Sequence, residues 1–238
     1  MIAALALLAA VAVGQTVADV ERAFAAEAQT AGQWPAFRAF AAPDAILYAP
    51  GLANAQAAFA RAADPVAVLS WWPVRTITAC DGTLAYSTGP WTRSDGKAGS
   101  FGTIWRHGPY GWRWLYDGGH DGGPPIAASA STVEEQAACP GPIGAAGELR
   151  EVVTGAPMSV ATLKGGARAN LVELSDGPMP LTLRLGPVAR EGASADRTLR
   201  WRINAVPGAA NGAHVVRIWA WDGRRYRLAV LDVTGVGQ

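Results

Sequence analysis

A chain of 238 residues is long enough to bury a core without help from disulfides or metals. Half of its residues are apolar and 16% are charged, which excludes a disordered tail protein. Twenty basic residues against nineteen acidic ones leave a net charge of +1, which argues against a nucleic-acid or polyanion binder. The first element, residues 1–14, is an apolar run too short to cross a bilayer as a helix. Ala12-Val13-Gly14 offers small residues for cleavage before Gln15, so the run reads as a secretory signal peptide, although no Lys or Arg precedes it. The other reading is a buried N-terminal helix. A signal peptide places the mature chain outside the cytoplasm, in a bacterial periplasm, with no membrane attachment after cleavage.

Residues 17 to 33 carry Val17, Val20, Phe24, Ala28 and Ala31 at helical spacing, with Asp19, Glu21, Arg22 and Glu27 on other faces and Gly32 as the stop. A short helix follows from Trp34, with Pro35 tolerated in its first turn. Asp44 to Tyr48 reads as a strand, and Asn54 to Ala63 as a third helix. From Val74 the period changes to two: strands at 74–78, 83–91, 100–106 and 112–117 are separated by turns at Asp81-Gly82, Ser94–Lys97 and Gly108–Gly111. Such short connections predict an antiparallel meander, with Trp112, Trp114 and Tyr116 on one face. Residues 122–148, rich in Gly, Pro and Ala, read as a linker, with one helical turn around Thr132 to Ala138. Residues 149–238 read as a β-rich domain, with strands at 159–163, 169–174, 181–185, 198–203, 215–221 and 226–232.

Cys80 and Cys139 are the two cysteines. In an oxidising compartment they could close one disulfide; two separate buried thiols are the alternative. Residues 1–149 hold 8 basic and 12 acidic residues (8 − 12 = −4), and residues 150–238 hold 12 and 7 (12 − 7 = +5). Two surfaces that attract each other across a contact, or a basic face for an anion, would both account for that asymmetry.

The stretch from Ala18 to Asp121 resembles the NTF2-like superfamily, in particular its SnoaL-like (DUF4440) members. The likeness lies in an N-terminal helix followed by Trp34-Pro35-Ala36-Phe37, then Asp44-Ala45-Ile46-Leu47-Tyr48. It continues in Gly99-Ser100-Phe101-Gly102-Thr103-Ile104-Trp105-Arg106 and ends in Gly111-Trp112-Arg113-Trp114-Leu115-Tyr116-Asp117-Gly118-Gly119. It implies an α+β fold: an NTF2-like cone over residues 15–121, with helices packed on a curved antiparallel sheet around a pocket, followed by the β-rich C-terminal segment. It also implies a homodimer formed through the sheet. Relatives include isomerases, cyclases, dehydratases and pocketed proteins without known chemistry, so chemistry has to come from residues.

No nucleophile elbow, phosphate-cradling loop, dinucleotide fingerprint or His-Glu-x-x-His is present, and no Cys/His cluster suggests zinc; no cofactor or metal is expected. Of the three histidines, His107 and His214 sit beside turns and read as solvated. Asp117 and His120 are the leading polar pair: a carboxylate at the mouth of an apolar pocket is suited to proton transfer, with a histidine in the following Gly-rich loop to assist. The competing reading is an aspartate that pins the loop and an exposed histidine. Asp44 and Tyr48 share a strand face as a second polar set. Tyr48, Trp71, Trp72, Trp91, Trp105, Trp112 and Trp114 are candidate ligand-binding residues, since ten tryptophans suit apolar pocket walls as well as a core. Three functions follow as expectations: a small-molecule binder for an apolar or aromatic ligand, a cofactor-free isomerase or lyase with Asp117 as base, or an interaction module using the Trp-rich sheet face.

Overall fold

A computed structural model describes residues 14–48, 52–60, 62–123, 126–129, 131–141, 148–149, 155–209 and 212–236, without the Tyr48 side chain. The signal peptide expected over residues 1–14 therefore lies, but for Gly14, outside the described residues, as does the side chain of Tyr48.

Helix α1 (Val17–Ala31) begins at a reciprocal cap, in which Thr16 accepts from the Asp19 amide while the Asp19 carboxylate accepts from the Thr16 amide. Gly32, at φ 102°, ends it and turns the chain into α2 (Gln33–Phe40). Strands β1 (Ala41–Tyr48) and β2 (Leu52–Asn54) form a hairpin, and Asn54 then caps the short α3 (Ala55–Phe59). Next come β3 (Leu69–Trp71), β4 (Arg75–Thr78), β5 (Leu84–Arg93), β6 (Ala98–Gly108) and β7 (Gly111–Asp121). After a connecting stretch lie β8 (Val133–Gln136), β9 (Pro157–Ser159) and the single turn α4 (Val160–Leu163). The chain closes with β10 (Val172–Ser175), β11 (Thr182–Arg184), β12 (Val188–Ala193), β13 (Leu199–Ala205), β14 (His214–Trp221) and β15 (Tyr226–Thr234).

The strands form three sheets. An eight-stranded sheet runs β2-β1-β7-β6-β5-β4-β8, with β3 also paired to β5. A five-stranded sheet runs β10-β15-β14-β13-β12, and β11 pairs with β9 in a two-stranded ribbon. The meander β4–β7 and the β14–β15 hairpin are present, but three pairings are parallel: β1 with β7, β4 with β8, and β10 with β15.

The expected α+β cone of helices on a curved sheet with a β-rich appendage does not hold. The molecule is mostly sheet, 46% strand and 16% helix, built on a large mixed sheet with two more beside it. The physical reason is that the meander buries both faces. One carries α1, α2 and α3; the other lies on the five-stranded sheet, and a single apolar cluster runs through both contacts, joining Phe24, Phe37 and Trp105 to Tyr86, Ile104, Trp201, Ile203, Val216 and Val230. The segment expected as a linker supplies β8 in place of a helical turn. The strand expected over 159–163 is instead the last residue of β9 followed by α4.

Between the two large sheets lies a polar layer. Tyr116 Oη is 2.8 Å from His214 Nε2, His120 Nε2 is 2.8 Å from Asp232 Oδ1, and His120 Nδ1 is 3.1 Å from Asp176 Oδ1. His214 is thus buried rather than solvated, and burial draws its pKa below the ordinary value despite the neighbouring Asp232 charge. Around the rim, acidic residues of the first sheet meet arginines of the second half. Arg190 reaches Asp44 (2.8 Å), which Arg106 of the first sheet also holds (2.9 Å), and Arg168 reaches Glu135 (2.7 Å). The uneven charge of the two halves thus meets across their contact. Cys80, just after β4, is bonded to Cys139, just after β8, with 5.1 Å between their Cα atoms.

Candidate functional site

The helices and the sheet do not close on each other completely. Between α1, α2, α3 and the helix-facing side of β3, β5, β6 and β7 lies a pocket of about 500 Å³. β3 and β5 place Trp71 directly opposite Trp91, so two indoles stand side by side in one wall. The facing wall is Phe24 from α1, Trp34 and Phe37 from α2, and Phe59 from α3; Phe101 of β6 completes the ring. These rings hold one another before any ligand arrives: Trp34 stacks on Phe59 with centroids 4.7 Å apart, and Phe24 meets Trp71 edge-on at 4.8 Å.

Asp117 of β7 lies in this pocket. It sits across the sheet from Thr103, whose hydroxyl donates to Asp117 Oδ1 at 2.7 Å and orients the carboxyl. Burial raises the Asp117 pKa, the Thr103 bond opposes the rise, and the negative charge of Glu21 adds to it; the result is about 7. Glu21 lies fully buried behind the wall. Its carboxylate accepts from Trp71 Nε1 (2.8 Å), Trp105 Nε1 (2.9 Å) and Ser87 Oγ (2.5 Å). Burial still pushes its pKa above the ordinary glutamate value, against those three bonds. Asp121 and Arg93 stand at the rim, and Arg93 is held by two bonds to Asp95, at 2.9 and 2.6 Å.

The pairing of Asp117 with His120 does not occur. Strand β7 continues through Asp121 where a Gly-rich loop was expected, and in an extended strand a separation of three sends the two side chains to opposite faces. Asp117 faces the pocket; His120 faces the second sheet and is buried there. Tyr116 is likewise separated from Trp112 and Trp114. Ile104 pairs with Tyr116 while Trp105 pairs with Trp114, so Leu115 is an extra residue that breaks the alternation.

Among the candidate ligand-binding residues, Trp71 and Trp91 line the pocket. Trp105 and Trp114 are wholly buried, one bonded to Glu21 and the other to the Phe37 carbonyl. Trp112 packs against His107 and donates to the Gln15 carbonyl, and Trp72 is half-buried away from the pocket. Asp44 is exposed and engaged with two arginines. Sequence reasoning missed Glu21, Thr103 and the phenylalanines. Glu21 carried a usable signal: it lies four residues after Val17 and three before Phe24, within the apolar stripe, where a carboxylate requires a partner.

Among the described residues no group of three or more His, Cys, Asp or Glu side chains is placed to hold a metal ion, and no helix is long and apolar enough to cross a membrane. No protein-family model matches the chain, and no curated protein matches it. A solved structure from Novosphingobium aromaticivorans, provisionally named an aromatic ring hydroxylase, is 16% identical over 45% of this chain and 87% of its own, with a TM-score of 0.33. Similarity of that extent carries no argument about fold or activity.

Proposed function

We propose that the protein binds a small apolar or aromatic organic molecule in the pocket between its helices and the eight-stranded sheet. The observation that carries this reading is the aromatic enclosure itself: about 500 Å³ walled by seven aromatic rings, with one half-buried carboxyl to orient a guest. We also place it in an oxidising compartment, since a disulfide persists where thiols are not kept reduced. The test is mass spectrometry of small molecules that co-purify with the protein from the periplasm of an expressing bacterium. A bound organic molecule should accompany the wild type and be absent from Ala67→Trp, which adds an indole to the pocket lining. An identical empty spectrum for both proteins, together with no change in tryptophan fluorescence across a panel of aromatic compounds, would remove the proposal.

A second reading is favoured by the placement of Asp117: a carboxyl set in an apolar pocket, bonded to the Thr103 hydroxyl and raised by burial to a pKa of about 7, is poised to take a proton from carbon beside a carbonyl and return it. In that reading Asp117 works with Thr103 as its orienting partner, and His120 takes no part. Turnover that follows a single ionisation near pH 7 and disappears in Asp117→Asn would support it.

A further inference from the structure

Resting on the pocket reading above, we infer that the guest is an organic cation: an apolar or aromatic body bearing a protonated amine or quaternary ammonium group that seats against Asp117. The argument is one of polar groups left over. All three indoles that line the pocket use their N–H groups within the protein. Trp34 donates to the Ala63 carbonyl (2.8 Å), Trp71 to Glu21 (2.8 Å) and Trp91 to the Ser100 carbonyl (3.0 Å). What such rings can still offer is their electron-rich faces, which attract cations and repel anions. The arginine at the rim is already forked onto Asp95. Asp117 Oδ1 accepts one bond from Thr103, which leaves its other oxygen to the pocket. Gln33 Oε1 is buried at the pocket wall without a hydrogen-bond partner among the described residues. The groups awaiting a partner are acceptors, so the missing partner is a donor.

Charge points the same way. Glu21 from α1 and Asp117 and Asp121 from β7 are the acidic groups on or behind the walls, Asp64 lies beside the start of α2, and Arg93 of β5 is neutralised by Asp95. An anionic guest would meet ring faces and carboxylates, with no unengaged cation among the described residues that line the pocket. A neutral guest without a donor would leave Asp117 facing apolar surface, and a neutral donor would meet the carboxylate without offsetting its charge. An ammonium group completes the set, and it favours the ionised form of Asp117, so its binding should release a proton near neutral pH.

Three probes that share one ring and differ in one polar group decide the matter: benzylammonium, benzyl alcohol and benzoate, titrated against tryptophan fluorescence and calorimetry. Benzylammonium should bind about tenfold more tightly than benzyl alcohol, and benzoate should bind most weakly. Its Kd should tighten from pH 6 to pH 8 with proton release, while that of benzyl alcohol stays flat. In Asp117→Asn the preference for benzylammonium over benzyl alcohol should shrink several-fold. If benzyl alcohol or benzoate binds as tightly as the ammonium, the cation inference fails and the pocket reading survives. If none of the three binds and no co-purifying molecule is found, both fail.

Discussion

His120 and Asp232 meet Nε2 to Oδ1 at 2.8 Å across the gap between the two large sheets, at 1% and 0% exposure. β7 and β15 are distant in sequence, and this contact, with Asp176 on the other ring nitrogen, ties them by charge as well as by packing. Burial alone would lower the His120 pKa. The charges and hydrogen bonds of Asp232 and Asp176 outweigh it and raise it from 6.5 to about 10. A raised histidine contributes stability that is full below 6.5 and fades as pH climbs to about 10. His120→Asn leaves a carboxylate buried without its cation and should cost about 3–5 kcal/mol at pH 6. That difference from the wild type should narrow toward pH 10, as read from urea unfolding at each pH.

Asp117 has the opposite consequence for the working range. Its folded pKa of about 7 stands above the ordinary 3.8, so the fold loses stability as pH rises between those values. Asp117→Asn carries no ionisable group and escapes the loss. It should match the wild type near pH 4 and exceed it by about 1–3 kcal/mol at pH 8. Calorimetric melts at the two pH values measure it; a variant less stable than the wild type at pH 8 contradicts it.

Glu21 is the acceptor for two indole N–H groups and one hydroxyl in a dry interior. Glu21→Ala strands the Trp71 indole and the Ser87 hydroxyl and leaves Trp105 Nε1 only its bond to Ser87 Oγ (2.9 Å), and should cost about 3 kcal/mol. Because Trp71 also lines the pocket, the same change should weaken guest binding measured at a temperature where the variant is still folded.

The disulfide closes a separation of 59 residues that includes β5, β6 and β7. Chain-entropy bookkeeping for a loop of that size gives about 4 kcal/mol of stabilisation. Cys80→Ser with Cys139→Ser should therefore lower the urea midpoint strongly, and a reductant should do the same to the wild type while leaving the double variant unchanged.

Local signals made much of this fold legible. Asp81-Gly82, Gly108–Gly111 and Asp222-Gly223 stand where strands turn, and the stripe from Val17 to Ala28 is the buried face of α1. What stayed hidden is non-local. The end of β7 reads as a loop because Gly118 and Gly119 are poor strand formers, yet they pair with Gly102 and Phe101. The glycines are needed there for tertiary reasons: a Cβ at Gly102 would strike Tyr86 Oη, and one at Gly118 would strike Tyr116 Oη. With the strand end taken for a loop, the odd spacing of Asp117 and His120 lost its meaning, and a pair was expected where two separate sites exist. Nothing in short-range pattern announces that β1, β8 and β10 pair in parallel with strands far along the chain.

The continuity of the core through both faces of the meander decides how the polypeptide can be divided. A recombinant fragment ending at Asp121 would keep the aromatic pocket but lay bare Tyr86, Ile104 and Tyr116, and would lose β8 and Cys139 from its border. Such a piece would carry an uncovered greasy flank and an unsheathed margin, the ingredients of inclusion bodies. Anyone wishing to study the pocket in isolation should keep the C-terminal half attached.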